Sequence, residues 1–576
     1  MAVPFDLAAH SVGAAADFLL AAGEPATHTL RTDAVAGNVA LSAVCGLLPL
    51  VAFFAFLMGL KWKAHWSAAG SVVVALLVAV FGFDMPTGLA GLSLTQGVAF
   101  GLFPIVYIII MAVWIYDLTV ASGRFEDLRR IFSRIGRGDM RVQAMLIGFA
   151  FGGLLEALAG FGAPVAIVAA MLVSIGMSPV KAAVVTLVAN CAPVAFGAMA
   201  IPVTTAGTLS QLDPTQVAAM SGRLVPILAL ITPFLLCLIM DGMRGLRQVW
   251  PMAVVLGLSF GGGQFIASNY FTYELTDVVA CLLSLACGLA FLAVWKPTTP
   301  PEAASQVDTS GVQLTGKRTA LALFPYLLIV VVFAIAKLWR IGIDLPAALA
   351  KTDMVVKWPG LYGNLYTAGG DVSNLPLFNF NWLSSPGTIL AGCAIITVIV
   401  YWLTSDKAEG NTLSVGHGFG ELAKGVYRMR WSYLTIALVM GLAYVMNFSG
   451  QTTAIGAALA ATGAIFPLLS PILGWLGTAV TGSATSSNAL FAQMQSATAQ
   501  QIGADQVLLV SANTAGATLG KMVSPQTAAV AAAAVRSEGS ESAILKGAAK
   551  YSVGLLIVLC VVVYLQSTSV LGWMVP

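Results

Sequence analysis

Two stretches of this chain resemble each other, and both interrupt apolar sequence with glycine, proline and small polar residues. The first is Ala189–Val203 and the second is Ala512–Gln526; aligned without a gap, they share six identical positions. A shorter run of the same character precedes each stretch at nearly the same distance, at Gly160–Ala166 and Thr481–Ala489. This spacing favours an internal repeat over a chance match between segments rich in alanine and glycine.

Glycine and proline in such runs break helices. Within a bilayer, the backbone groups freed by a break must face protein or a water-filled cavity. A matched pair of interrupted segments in two halves of a chain is typical of the binding site of a transporter. The repeat therefore predicts two motifs of broken helices or re-entrant hairpins, at 156–203 and 481–526, around one central site.

The composition excludes a soluble protein. Of the 576 residues, 58% are hydrophobic and 9% are charged, whereas soluble domains carry about 25% charged residues. Apolar stretches of span length recur along the chain, which predicts an all-α polytopic membrane protein with about 12 to 14 transmembrane helices in the lipid bilayer. A net charge of +3 gives no reason to expect nucleic acid, and the seven cysteines show no metal-binding spacing, so no metal is expected.

The basic loops predict the orientation. Six loops between the apolar stretches hold 20 of the 28 lysine and arginine residues, and such loops stay in the cytoplasm. The resulting layout has a periplasmic N-terminal segment at 1–33, transmembrane halves at 34–295 and 319–576, and a polar cytoplasmic linker at 296–318. Both termini then lie in the periplasm, and the two broken motifs enter from opposite sides, as in an inverted-topology repeat.

Two ionisable residues lie inside the broken motifs, where a charge is costly and usually functional. Glu156 is predicted to bind a proton reversibly; the alternative is a structural carboxylate that caps freed backbone amides. Lys521 either holds an anionic substrate by its charge or balances a carboxylate elsewhere. Asp117, near the end of a span, is a weaker candidate for proton coupling.

The uncharged polar residues of the breaks suit a small anion that carries a hydroxyl group. Helix N-termini at the breaks add N–H groups and positive dipole ends. The alternative is that these side chains only satisfy broken backbone or let helices pack closely. Besides Lys521, the candidates for substrate binding are Gly162, Asn190, Ser483, Thr485, Ser486, Ser487, Asn488 and Asn513.

No catalytic motif accompanies these residues, so an enzyme is not expected. The GxSxG, HExxH and Walker A patterns are absent, and the four histidines lie in predicted loops or at span ends. Without an ATP-binding motif, transport must use an ion gradient or be passive. A channel or passive facilitator is the competing class, but an intramembrane glutamate and lysine favour coupled transport.

Several long motifs are specific enough to indicate a family. They include LLEALAGFGAPVAI at 154–167, GWLGTAVTGSATSSNALF at 474–491 and QQIGADQVLLVSANT at 500–514. In these motifs the chain resembles the bacterial lactate permease family, the L-lactate, D-lactate and glycolate permeases. The resemblance implies proton-coupled uptake of lactate, glycolate and related 2-hydroxymonocarboxylates across the bacterial inner membrane, with the proton as coupling ion and no cofactor. By analogy with related transporters, it also implies a scaffold domain, a mobile domain and a homodimer.

Two positions depart from the family pattern. The run that is usually GSDTSSN in the family reads GSATSSN here, so Ala484 stands where an aspartate is usual. A basic residue of the third span is replaced by Asp117. The first change removes an intramembrane carboxylate, which leaves Glu156 as the main candidate for a proton carrier at membrane depth.

Overall fold

The structure is a computed structural model, and it describes residues 27–60, 62–134, 138–158, 163–304, 315–336, 345–367, 369–407, 410–537 and 540–576. Most of the predicted periplasmic segment 1–33 lies outside the described residues, as do the centre of the linker 296–318 and the candidate Gly162.

Helices form most of the described chain, because a helix satisfies its backbone hydrogen bonds internally even in lipid. In chain order the α-helices are α1 (Val39–Phe54), α2 (Ala64–Leu77), α3 (Thr87–Phe100), α4 (Tyr107–Ala121), α5 (Arg124–Arg134), α6 (Met140–Met145), α7 (Gly152–Leu158), α8 (Ala163–Ser174), α9 (Pro179–Ala189), α10 (Gly197–Leu209), α11 (Pro214–Tyr270), α12 (Thr276–Val294), α13 (Gly316–Ala336), α14 (Leu345–Ala350), α15 (Pro386–Leu403), α16 (Val415–Phe448), α17 (Gln451–Leu459), α18 (Phe466–Thr481), α19 (Ala484–Ile502), α20 (Gln506–Gly520), α21 (Pro525–Ala534) and α22 (Glu541–Gln566). Segments of π-helix lie at Ala55–Gly59, Val78–Gly82, Gly101–Val106 and Leu146–Phe151, and short 3₁₀ turns at Val194–Phe196, Tyr273–Leu275, Pro301–Ala303, Ala460–Ile465, Lys521–Val523 and Gly572–Met574.

Ten helical stretches of the described residues are long and apolar enough to cross a membrane, or up to eleven if the bent pair Pro179–Ala189 and Val194–Leu209 counts as one span. One of the ten, Pro214–Tyr270, has 57 residues, which at about 1.5 Å per residue is far longer than one crossing requires. It leaves helical geometry at Asp241 and Gly242, so its length and this kink are compatible with two crossings. The prediction of an all-α polytopic membrane protein is confirmed.

Two small sheets lie outside the helices. Strand β1 (His28–Thr29) runs parallel to β3 (Leu365–Tyr366), with His28 opposite Leu365, and β2 (Met354–Lys357) runs antiparallel to β4 (Leu377–Phe380), with Met354 opposite Phe380. The first sheet ties the described end of the N-terminal segment to the long loop before α15. Both segments therefore lie on one face of the molecule, and the periplasmic side of the N-terminal segment stays a prediction.

Two sets of four helices share one order among the described residues: the second and third helices are joined by a tight turn, and a few residues outside α-helix separate the third from the fourth. The first unit consists of α7 to α10 and the second of α18 to α21. Each tight turn contains a glycine with positive φ, Gly176 at 106° and Gly503 at 68°, a conformation that a side chain disfavours. This recurrence agrees with the predicted repeat, and the inverted orientation of the two units stays a prediction.

The two copies of the motif nevertheless break at different points. Helix α9 ends just before Asn190, which is its C-cap, whereas α20 continues past Asn513 to Gly520. Pro193 follows Asn190 closely and lacks the N–H that would bond the Ala189 carbonyl, which disfavours a helix there, while the matching position of the second copy is Gly516, which a helix tolerates. Consequently Asn190 lies at a break, and Asn513 lies inside a helix.

Helices α18 and α20 pack with their backbones in contact. Gly516 and Gly520 form a GxxxG pattern on α20, the kind of small-residue pair that permits close helix packing in membranes. A Cβ atom at Gly516 would collide with the backbone of Pro471, and one at Gly520 with the backbone of Trp475. This packing fixes the end of α20, where Lys521 begins the next turn.

Candidate functional site

A buried ion pair joins the two repeat units. Lys521 Nζ lies 2.5 Å from Glu156 Oε1, and the two side chains are 9% and 4% exposed, respectively. Glu156 belongs to α7, in the helical stretch Met140–Leu158, which is buried along its length. The sequence left two roles open for Lys521, and in this conformation it balances a carboxylate.

The second oxygen of Glu156 is held by the first break. Asn190 Nδ2 donates to Glu156 Oε2 at 3.1 Å. Gly197 lies against the same carboxylate, since a Cβ atom there would be 3.2 Å from Glu156 Oε1. One carboxylate oxygen thus accepts from a cation and the other from an amide, which is the kind of pairing that a buried charge requires.

A cavity of about 360 Å³ adjoins the ion pair. Its lining residues all lie in the two predicted broken motifs and are Glu156, Val194, Gly197, Ala198, Pro202, Gly482, Ser483, Ala484, Thr485 and Lys521. The cavity therefore offers a cation, a carboxylate and two hydroxyl groups to a small ligand.

The wall contributed by the first unit contains strained backbone. Ala198, Met199 and Ala200 have φ angles of +45°, +60° and +61°. Residues with side chains pay about 1–3 kcal/mol each for such sparsely populated geometry, and it is found most often at functional sites. Here it turns the chain at the point where Ala198 and Pro202 form the cavity wall.

The opposite wall is the start of α19. Gly482, with φ of 72°, ends α18 in the left-handed region. Ser483 then caps α19, its hydroxyl accepting from the Ser486 N–H at 3.2 Å. Through Ser483, Ala484 and Thr485 the first turn of α19 borders the cavity, so the positive end of the helix dipole favours an anion there.

Two larger cavities continue from this one. A cavity of about 620 Å³ shares Ser483 and Lys521 with the smaller cavity. The next, of about 1110 Å³, shares Gln526 with the second and contains Lys63. The shared lining residues place the three cavities next to one another, with Lys63 in the largest and Lys521 in the other two. The middle cavity adds the hydroxyl groups of Ser432, Thr435, Thr481, Ser486 and Thr527.

The remaining predicted residues bind other protein groups. Ser487 Oγ donates to the Gly474 carbonyl at 2.9 Å. Asn488 Nδ2 donates to the Pro202 carbonyl at 2.8 Å, and Asn513 Nδ2 donates to Asn488 Oδ1 at 2.8 Å. In this conformation the three side chains brace the walls of the cavity, and a direct role in substrate binding stays a prediction for them.

Asp117 lies apart from the cavity lining. Both of its carboxylate oxygens accept from Arg428 Nη2, at 2.7 and 2.8 Å. The Arg428 side chain is 55% exposed. The Asp117 carboxylate therefore pairs with a cation near the surface. No contact between Asp117 and the Glu156–Lys521 ion pair among the described residues supports its predicted role in proton coupling.

Sequence reasoning missed the burial of a further carboxylate, Asp277. From the sequence, Asp277 belongs to a short outer turn, but in the structure it lies in the first turn of α12 and is 0% exposed. Gln264 Nε2 donates to Asp277 Oδ1 at 2.8 Å. An acid at the start of an apolar helix usually marks a solvated helix end, so hydropathy alone gives no signal of its burial.

Long apolar helices around two helix–break–helix units, with a buried ion pair and a cavity between them, define a multi-pass membrane transporter. The model of the L-lactate permease family matches residues 42–570. The chain therefore belongs to the L-lactate permease family, and it is a permease, not an enzyme.

Known proteins agree with this assignment over nearly the whole chain. Glycolate permease GlcA of Escherichia coli K12 is 38% identical over 559 residues, which cover 94% of this chain and 98% of that protein. The L-lactate permease of Bacillus subtilis 168 is 37% identical over 564 residues, with the same coverage of 94% and 98%. The solved structure of Neisseria gonorrhoeae MtrF matches 82% of this chain and 83% of its own at a TM-score of 0.43 and 12% identity, a likeness too low to refine the fold.

Proposed function

We propose that this protein is a proton-coupled symporter that takes up lactate, glycolate and related 2-hydroxymonocarboxylates across the bacterial inner membrane. Relatives that align along nearly their whole length are named as permeases for glycolate and L-lactate. The observation that carries the proposal is the buried ion pair of Lys521 and Glu156 beside a small cavity with hydroxyl groups.

The cavity suits both functional groups of such a substrate. The Lys521 ammonium pairs with the substrate carboxylate, and the positive end of α19 adds to the attraction. Ser483 and Thr485 supply hydroxyl groups on the same lining, and these exchange hydrogen bonds with the 2-hydroxyl. A buried site that binds a hydroxyl group discriminates strongly against analogues that lack one.

The ion pair links proton binding to anion binding. A substrate carboxylate that approaches Lys521 brings a second negative charge next to Glu156, and an excess buried charge is costly. A proton on Glu156 removes that excess, so each ligand strengthens the binding of the other. The site is then neutral when empty, with a lysine and a carboxylate, and neutral when it holds one proton and one anion.

The orientation of the protein belongs to the same proposal. If the basic loops are cytoplasmic, Lys63 lies on the cytoplasmic side, and we infer that substrate leaves toward the cytoplasm past the neighbouring cavities that Lys521 and Lys63 line. Both termini are then periplasmic, and a homodimer stays a prediction.

The coupling is tested in proteoliposomes that contain a trapped pH dye, by lactate-dependent acidification of the lumen. Glu156→Gln keeps the shape and hydrogen bonding of the side chain but cannot take up a proton, so we expect it to abolish pH-driven accumulation while lactate exchange persists. Asp117→Asn is the matched control, because Asp117 pairs with Arg428 away from the cavity. Acidification by Glu156→Gln at the parent rate would show that Glu156 is not the proton carrier.

The substrate assignment is tested separately by competition. Unlabelled lactate and glycolate should inhibit uptake of labelled lactate far better than propionate and acetate, which lack the 2-hydroxyl. Equal inhibition by propionate would remove hydroxyl recognition from the proposal and leave carboxylate binding by Lys521 intact.

A further inference from the structure

A carboxylate and an amide are buried together behind the candidate site. Asp277 on α12 and Gln264 on α11 are both 0% exposed. Gln264 Nε2 donates to Asp277 Oδ1 at 2.8 Å and to the Ala192 carbonyl at 3.0 Å. The other oxygen of each group, Asp277 Oδ2 and Gln264 Oε1, has no hydrogen-bond partner among the described residues. Buried polar atoms without a partner are rare and require an explanation.

The surroundings of Asp277 hold no countercharge. Among the elements packed against α12, α7 contributes Glu156, whose negative charge repels a charge on Asp277. The turn that precedes α12 contributes Tyr273 and Glu274, and α12 itself contributes the thiol of Cys281. Within the described part of the chain, no lysine, arginine or histidine pairs with Asp277. An ionised carboxylate here would be a buried charge without compensation, which is strongly unfavourable.

A single proton gives a hydrogen-bond partner to both of these oxygens. Placed on Asp277 Oδ2, it makes that atom a donor, and Gln264 Oε1 is the unpartnered acceptor on the side chain that already bonds Asp277. The acid and the amide then form a cyclic pair with two hydrogen bonds, while the second N–H of Gln264 keeps its bond to the Ala192 carbonyl. We propose that Asp277 is a proton-binding site that holds its proton during transport, as a neutral acid paired with Gln264.

The position of Asp277 explains why a held proton matters to the site. Helices α7 and α12 pack so closely that a Cβ atom at Gly153 would be 2.8 Å from Cys281 Sγ. Glu156 lies three residues after Gly153 and Asp277 four residues before Cys281, so each carboxyl group is one helical turn from that contact. A neutral Asp277 leaves Glu156 without a repelling charge behind it.

Gln264 also connects the acid to the first break. The Ala192 carbonyl that accepts from Gln264 lies two residues after Asn190, and Asn190 donates to Glu156. Gln264 therefore fixes the turn from which Asn190 reaches the carboxylate. Asp277 acts on the site through Gln264 as a positioning residue, and it is not among the residues that line the cavity.

The proton is tested by infrared spectroscopy on the purified protein in lipid. A neutral carboxylic acid has a carbonyl band, separate from those of amides and carboxylates, that shifts in deuterated water. We expect this band in the wild type at neutral pH, its loss in Asp277→Asn and its persistence in Glu156→Gln. Gln264→Leu should shift the band, because the acid loses its partner. Absence of the band, or a band unchanged in Asp277→Asn, would overturn the proposal.

A transport measurement tests whether the proton is held. Asparagine at 277 reproduces the protonated pair, since its amide both donates to and accepts from Gln264. Asp277→Asn should therefore acidify proteoliposomes with lactate at a rate close to the wild type, whereas Asp277→Leu should lose stability and activity. Loss of acidification in Asp277→Asn would mean that the proton is exchanged, against the proposal. This transport test rests on the proposed symport. If proteoliposomes with the wild-type protein never acidify with lactate, the symport is wrong, but the infrared result on Asp277 still holds.

Discussion

Asn488 Nδ2 donates a hydrogen bond to the backbone carbonyl of Pro202 at 2.8 Å, which joins the start of α19 to the break region of α10. Asn488 Oδ1 in turn accepts from Asn513 Nδ2 at 2.8 Å and from Thr514 Oγ1 at 3.2 Å. One amide therefore binds a backbone group of the first unit and two side chains of the second. Because Asn488, Asn513 and Thr514 are all 0% exposed, water cannot replace these bonds, and the network sets the distance between the cavity walls.

Removal of this amide should destabilise the protein. Asn488→Ala removes the hydrogen bond to the Pro202 carbonyl and leaves the Asn513 amide without its partner, and an unsatisfied buried group costs about 1–3 kcal/mol. We expect a lower Tm for the purified protein and weaker lactate binding. Gln500→Ala is the control, because its hydrogen bond to Gln506 lies in an exposed position. An equal fall of Tm in both variants would contradict the bracing role.

The contact between α18 and α20 gives a second prediction. A methyl group at Gly516 meets the backbone of Pro471, so Gly516→Ala must separate the helices and move Asn513 and the following break; overpacking of this kind costs about 1–3 kcal/mol. Gly554→Ala is the matched control, since nothing lies within 4 Å of a Cβ atom there. We expect a lower yield of monodisperse protein and a lower Tm for Gly516→Ala only. Similar behaviour of the two variants would show that the close contact does not limit folding.

The sequence predicts the breaks of the helices better than the partners of their side chains. The sequence identifies Glu156 and Lys521 separately as candidates, because a charge at membrane depth is costly and usually functional. Their contact spans 365 positions of the chain and arises from the packing of the two repeat units, which no local pattern encodes. The same holds for Asn488 and Asn513, whose residue type suits substrate binding and whose partners in the structure are protein groups.

Two further differences have separate causes, one local and one that depends on distant packing. The motif alignment treats Asn190 and Asn513 as equivalent, but Pro193 ends the helix in the first copy while Gly516 lets it continue in the second. Asp277 has the sequence context of a solvated helix start, and only the packing of α7 and α11 on α12 buries it. Proline placement is readable from the sequence, whereas burial of one polar residue by two distant helices is not.

Position 484 gives a third prediction. Ala484 lines the same cavity as Lys521 and Glu156 and lies in the first turn of α19, where an aspartate is compatible with the helix dipole. Ala484→Asp adds a second carboxylate that competes for Lys521 and can bind a proton itself. We expect it to raise proton-driven lactate uptake or to shift its pH dependence, while Ala484→Asn, of equal size, leaves the profile unchanged. Coinciding pH profiles of the two variants would exclude position 484 from the coupling.

The ion pair itself gives the last prediction, through a double-mutant cycle. Lys521→Met leaves Glu156 buried without its cation, and breaking a buried pair from one side costs about 3–5 kcal/mol. Glu156→Gln combined with Lys521→Met removes both charges, so the double variant should recover much of the lost Tm.

Lactate binding separates this stabilising role from substrate recognition. Both variants lack the ammonium group, so calorimetry should show no lactate binding to either, however stable the double variant is. Lys521→Arg should also bind poorly, because the planar fork of a guanidinium differs in shape from an ammonium. Unchanged affinity in Lys521→Met would make the lysine structural, and a double variant no more stable than Lys521→Met would show that Glu156 does not depend on Lys521 for its burial.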